Sequence, residues 1–155
     1  MNETYQAVIP APFGALGVRT AEGAVTGITY LSSSWVLQDP RDDFTICVCA
    51  ALQRYLEGPA MAFDLPLNAV GTPFQQRVWQ ALQTIPLGEA WTYAELAQCV
   101  GSGARAVANA CGANPIALII PCHRVVAKQG LGGFMRGRAT ASLNIKQWLL
   151  DHERR

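Results

Sequence analysis

The sequence predicts an α+β protein: a small antiparallel sheet with one helix, followed by a mainly helical domain that carries a helix-turn-helix. Two observations carry that prediction. Residues 4–31 alternate apolar and small side chains between glycines at 14, 17, 23 and 27, the pattern of an antiparallel strand pair or meander. From residue 43 onward the apolar spacing lengthens to three and four, and the punctuation becomes that of helix ends. A stretch broken by Pro and Gly, residues 59–71, separates the two patterns and divides the 155 residues into domains 1–70 and 71–155.

The elements follow in order. Phe44, Cys47, Ala51 and Tyr55 mark a helix over 43–57 that Gly58-Pro59 stops. Thr72-Pro73-Phe74-Gln75 is a capping box with proline at the first helical position, and its helix should run to about Thr84 with Phe74, Val78, Leu82 and Ile85 inward. Thr92-Tyr93-Ala94-Glu95 is a second capping box, opening a short helix that Gly101 ends. Ser102 can cap a third helix, Gly103 to Cys111, built almost wholly of small residues around Arg105. Two short helices joined by a tight glycine turn match a helix-turn-helix, although an ordinary helical hairpin has the same spacing. Ala117–Ile120 reads as a buried strand that delivers Cys122 into a turn. A last helix, about Ser142 to His152, buries Ile145, Trp148 and Leu149, with Glu153 at its C-terminus.

Composition narrows the class. Half the residues are apolar and 15% are charged, which suits a soluble globular chain. The longest uncharged apolar stretch, Phe44 to Leu52, is too short to span a membrane, and Met1-Asn2-Glu3-Thr4 lacks the marks of a signal peptide. Five cysteines without a paired framework, and only two histidines, predict a reducing, cytoplasmic setting with no metal site and no cofactor. The net charge of +1 conceals an asymmetry: residues 1–70 balance at −4 and residues 71–155 at +5. No acidic residue interrupts Arg105 to Arg138, so the basic half favours a polyanion where it coincides with the helix-turn-helix.

Chemistry concentrates at Pro121-Cys122-His123-Arg124-Val125-Val126. A buried thiol has a raised pKa and little thiolate, so a reactive Cys122 needs a base and something to orient that base. His123 is the nearest imidazole in sequence. In extended backbone the two side chains would point to opposite faces, and a bridging water or a turn at Pro121 would resolve this. Glu153 could hold the imidazole from its other nitrogen, and Asn114 could tie the preceding turn to the segment bearing Cys122. On Cys122 and His123 alone, a packed cysteine beside a satisfied histidine is the simpler reading.

The sequence resembles the O6-alkylguanine-DNA alkyltransferases, the methylated-DNA–protein-cysteine methyltransferases. The likeness lies in Gly71-Thr-Pro-Phe-Gln-Gln-Arg-Val-Trp79, Ile85-Pro-Leu-Gly-Glu89, Tyr93-Ala-Glu-Leu-Ala97, Arg105-Ala-Val107, Asn114-Pro115 and Ile120-Pro-Cys-His-Arg-Val125. It covers residues 73–153, while residues 1–70 resemble the family's N-terminal domain more loosely. The resemblance implies a ribonuclease-H-like first domain and a winged-helix-like second one. Cys122 would accept the alkyl group irreversibly, with His123 as base through a water, Glu153 as its orienter and Asn114 bracing the turn. Arg105 would enter the base stack, and Tyr93 would press on the target phosphate and protonate the leaving guanine. Gln75, Ala94, Ser102 and Lys128 match DNA-facing positions, and the Val125 backbone a position that reads the base edge. Phe134, Met135 and Arg136 would cover the alkyl pocket where relatives often carry Gly-Tyr. The implied partner is double-stranded DNA containing O6-alkylguanine, and by extension O4-alkylthymine, met from the minor groove by a monomer without cofactor or membrane. The alternatives are a non-transferring alkylated-DNA-binding protein, which would have another residue at Cys122, and a helix-turn-helix transcription regulator. A thiol hydrolase lacks an oxyanion-hole signature.

Overall fold

The computed structural model describes residues 4–59, 63–132 and 140–154. Two compact units emerge, Met1–Ala69 with Pro115–Ile119, and Val70–Asn114 with Ile120–Arg155.

The first unit is built on the meander β1 (Ala7–Ala11), β2 (Gly14–Ala21) and β3 (Ala24–Leu31), in the order β1-β2-β3 with both pairings antiparallel. Glu22 and Gly23 both take positive φ (51° and 73°), as a two-residue primed turn between twisted strands requires. Gly17 lies against the Tyr5 ring, where an added Cβ would come within 2.6 Å of a ring carbon. Helix α1 (Asp43–Glu57) starts where Asp42 accepts from Thr45 N and Thr45 Oγ1, both at 2.8 Å, and it buries Val48, Leu52 and Tyr55.

The apolar run before Cys122 is not a strand. Only Ile116 bridges to Ile28, through Ile28 N donating to Pro115 O at 3.1 Å and Ala117 N to Ile28 O at 3.2 Å. Leu118 then takes a φ of +69° and the chain turns. Residues 116–120 are all buried, so burial was legible from the run while its conformation was not. A short apolar stretch has no period to distinguish a strand from a buried turn.

In the second unit, α2 (Pro73–Leu82) and α3 (Tyr93–Val100) each begin with a complete capping box, Thr72 with Gln75 and Thr92 with Glu95. Gly101 ends α3 in the left-handed conformation (φ 71°). Ser102 does not cap the next helix: its N–H closes back on Ala97 O at 3.0 Å, which assigns it to the end of α3. Gly103 stands at the N-cap of α4 (Ala104–Gly112) with no side-chain bond. Trp79 of α2 fastens α4 by donating from Nε1 to Ala110 O at 2.9 Å. A two-residue parallel ladder joins β4 (Trp91–Thr92) to β5 (Val125–Val126). Helix α5 spans Thr140–Glu153, longer at both ends than its apolar pattern suggests. Leu149 is buried as expected, but Ile145 and Trp148 are half-buried, and Lys146 and Leu150 take the inner positions. No described helix is long and apolar enough to cross a membrane.

Candidate active site

Cys122 opens a single 3-10 turn, Cys122–Arg124, rather than ending a strand. Cys122 N donates to Ile120 O at 2.8 Å and Arg124 N to Pro121 O at 3.0 Å, so the opposed side-chain directions of extended backbone do not apply to Cys122 and His123. Directly after the turn, Val125 pairs with Trp91, and Val126 with Thr92. Thr92 is the N-cap of α3, so this ladder ties the cysteine turn to the helix that begins at Tyr93.

Buried Asn114 closes the other side. Its Nδ2 donates to Ile120 O at 2.8 Å, the same carbonyl that accepts from Cys122 N, and its side chain also hydrogen-bonds the Cys122 thiol. Burial pushes that thiol's pKa up, against opposing contributions from Asn114, the charge of Lys146 and the local backbone.

Thirty residues further on, Glu153 meets His123: Nε2 and Oε2 are 2.7 Å apart, and both side chains are buried. The same carboxylate accepts from Arg124 Nε at 2.8 Å (Oε1) and Arg124 Nη2 at 3.1 Å (Oε2). A carboxylate held by two guanidinium donors is an acceptor, so His123 Nε2 carries the hydrogen and Nδ1 keeps its lone pair. That Nδ1 is buried and has no hydrogen-bond partner among the described residues. Burial lowers the imidazole's pKa, Glu153 opposes this, and the charges of Arg124 and Lys146 reinforce it. The lowered pKa favours the neutral ring.

Two contributors escaped sequence reasoning. Lys146 is fully buried, donates from Nζ to Leu131 O at 2.6 Å and stands 5.7 Å from the Tyr93 ring centre. Burial lowers its pKa to about 8, against the charges of Cys122 and Cys111. Cys111, on α4, is itself pushed up to about 12, chiefly by burial. A helical stripe drawn back from Glu153 in three- and four-residue steps passes through Leu149 and Leu150 to Lys146, and would have found it. Arg124 supplies the compensating charge for Glu153. A buried carboxylate at a helix C-terminus calls for a cation, but sequence does not say which.

The remaining candidates are more dispersed. Tyr93 is half-buried at the start of α3, and Ala94, Ser102, Arg105 and Lys128 are exposed. Ala104, Arg105 and Ala106 form an exposed, small-sided start to α4, whose other face buries Val107, Ala110 and Cys111. Gln75 commits its Oε1 to Thr72 N in the capping box. Val125 is buried, with its N–H given to Cys122 O. Phe134, Met135 and Arg136 lie outside the described residues. No group of three or more His, Cys, Asp or Glu side chains among the described residues could hold a metal ion.

The second unit thus combines a buried thiol, a buried imidazole–carboxylate pair and two short helices joined by a glycine turn, the parts expected of a cysteine nucleophile that works on DNA. Comparison with known proteins agrees. Residues 73–155 match the family described as 6-O-methylguanine DNA methyltransferase, DNA binding domain. A probable methylated-DNA–protein-cysteine methyltransferase of Acanthamoeba polyphaga mimivirus is 48% identical over 109 residues, 68% of this chain and 70% of its own. The constitutive methylated-DNA–protein-cysteine methyltransferase of Bacillus subtilis is 37% identical over 160 residues, 97% of this chain and 95% of its own. The solved structure of Mycobacterium tuberculosis OGT in complex with DNA superposes with a TM-score of 0.79 at 39% identity, over 95% of this chain and 91% of that one. The chain belongs to the methylated-DNA–protein-cysteine methyltransferase family.

Proposed function

We propose that this protein repairs DNA by direct reversal, moving the alkyl group of O6-alkylguanine irreversibly onto Cys122. The observation that carries this reading is the buried Cys122 thiol, hydrogen-bonded by Asn114, beside a neutral imidazole whose accepting nitrogen is uncommitted. The thiol proton passes to His123 Nδ1, through a bridging water. The thiolate attacks the alkyl carbon in line, a sulfur–carbon bond forms, and the bond from that carbon to guanine O6 breaks with its electron pair staying on the base. Tyr93 donates its phenolic proton to the leaving guanine and is reprotonated from solvent. The thioether offers no low-energy route back, so each molecule acts once.

Burial suits this chemistry. The alkyl carbon is unreachable inside a duplex, so the nucleotide must leave the stack, at a cost of a few kcal/mol. Arg105 takes the vacated place while the exposed alanines of α4 let the helix approach the minor groove closely, and Ala94, Ser102 and Lys128 meet the backbone. Gln75 contributes through its helix N-terminus, its side chain being engaged in the cap. The Val125 backbone reads the edge of the extruded base, and Phe134, Met135 and Arg136 set the size of alkyl group accepted. O4-alkylthymine enters the same site, and one monomer serves one lesion.

Titrating the protein against duplex carrying labelled O6-methylguanine tests the reading. Transfer should plateau at one methyl per molecule, and Cys122→Ser should bind the duplex without accepting label. Wild-type protein that binds the duplex and stays unlabelled would refute the repair reading and leave the two non-transferring alternatives, a damage-binding protein or a transcription regulator.

A further inference from the structure

We infer that Arg124 is a positioning residue for the base: its guanidinium fixes the Glu153 carboxylate so that His123 must donate from Nε2 and keep Nδ1 as the accepting nitrogen. The inference rests on the repair reading, in which Nδ1 takes the thiol proton. Three donors of one side chain are spent on the arrangement. Nε reaches Glu153 Oε1 at 2.8 Å, Nη2 reaches Oε2 at 3.1 Å, and Nη1 reaches Ile85 O at 2.7 Å. The last bond anchors the fork to backbone just after α2, so the guanidinium plane cannot follow the carboxylate if it swings. Oε2 is shared between Nη2 and His123 Nε2, which sets the angle at which the imidazole meets it.

Charge makes the same point. Glu153 has a side-chain exposure of 1% and Arg124 of 13%, so the carboxylate faces little water. Loss of the guanidinium would take a compensating charge from this buried carboxylate, which would then draw a proton onto the imidazole bonded to it. Imidazolium has two N–H donors and no acceptor, so the base would be lost. The other groups bearing on the site are Lys146 from α5 and Cys122 from the ring's own turn. The lysine disfavours a charged ring, as Arg124 does. Cys111 on α4 acts on the thiol and on Lys146. Arg124 is joined directly to Glu153 by two bonds, and a lysine there could supply the charge but not the two-pronged geometry.

The test compares wild type, Arg124→Gln and Arg124→Lys by two readings. One is the pH profile of single-turnover methyl transfer to Cys122. The other is the titration and tautomer of His123 by nitrogen-resolved NMR without DNA. In Arg124→Gln the imidazole should titrate at least one unit higher, and the acid limb of transfer should move up with it, a factor of about ten in rate on that limb for each pKa unit. Transfer should recover as the pH is raised. Arg124→Lys should keep the wild-type acid limb and lose rate about equally at every pH. Equal loss at all pH values in Arg124→Gln, or an unmoved His123 titration, overturns the inference. If the glutamine variant does not fold, Arg124→Lys with an acid limb moved upward overturns it instead. Wild-type protein that transfers no methyl would refute the repair reading, while the imidazole titration would still decide the role of Arg124.

Discussion

Asn114→Ala separates support of the fold from support of the thiolate, because its two bonds serve the two differently. Loss of Nδ2 removes the 2.8 Å bond to Ile120 O, but that carbonyl still accepts from Cys122 N at 2.8 Å and is not orphaned. The stability cost should therefore lie near the ordinary net value of a hydrogen bond, about 1 kcal/mol, instead of the ~1–3 kcal/mol of an unsatisfied buried group. The bond to Cys122 weighs more, since it opposes the burial that pushes the thiol pKa up. A hydrogen bond to a charged group contributes about 1.5–3 kcal/mol, roughly one to two pKa units. At fixed pH the thiolate population, and with it single-turnover methyl transfer, should fall about 10- to 100-fold. Asn114→Asp should be slower still, because it sets a carboxylate beside the developing thiolate. Denaturant unfolding gives the first quantity, and quenched-flow transfer from methylated duplex at saturating protein gives the second. A variant that loses several kcal/mol of stability yet transfers at the wild-type rate per folded molecule would refute the assignment.

Three further substitutions probe other parts of the site. Lys146 has a folded pKa of about 8 against an ordinary 10.5, so between those values the unfolded chain takes up a proton that the folded chain refuses. Stability attributable to this group is present above pH 10.5 and lost as pH falls through about 8, by at most about 3 kcal/mol. Lys146→Met should remove that loss in pH-dependent unfolding and, by taking a cation from Cys122, shift the thiolate limb of transfer to higher pH; an unchanged limb would contradict the assignment. Trp79→Phe deletes the donor to Ala110 O, which still accepts from Ala113 N at 3.2 Å, and should cost about 1–2 kcal/mol in chemical denaturation while leaving transfer per folded molecule unchanged. Arg105→Ala should slow transfer from methylated duplex at least about tenfold, roughly the 1–3 kcal/mol of one lost specific contact, and leave reaction with the free alkylated base unaltered. Equal loss with both substrates would place Arg105 in the chemistry instead of in DNA handling.

Local signals made the helix starts legible. Thr72 and Thr92 each stand three residues before the partner that completes the box, and Gly101 is the residue that can take a left-handed turn without strain. Cys122 and His123 were legible as neighbours, and Glu153 as a carboxylate badly placed at a helix end unless it served something inside. Other features depend on contacts distant in sequence. Arg124 meets Glu153 across twenty-nine residues and Ile85 across thirty-nine. Lys146 reads as a surface cation until its stripe is traced from Glu153. The turn at Leu118 lies inside an apolar run whose burial is plain but whose conformation depends on bridging to Ile28 and on Asn114 holding Ile120. Ser102 had the right residue type for a cap, and the Ala97 carbonyl claimed its N–H for the preceding helix.

Peptide-resolved mass spectrometry after exposure to an O6-methylguanine duplex tests the central claim most directly, because the chain offers five thiols of differing burial. One methyl should appear on the peptide containing Cys122, in proportion to lesion consumed, with none on exposed Cys47 and Cys99 or on buried Cys49 and Cys111. Methyl spread over the exposed cysteines, or found on Cys111 while Cys122 stays free, would contradict it.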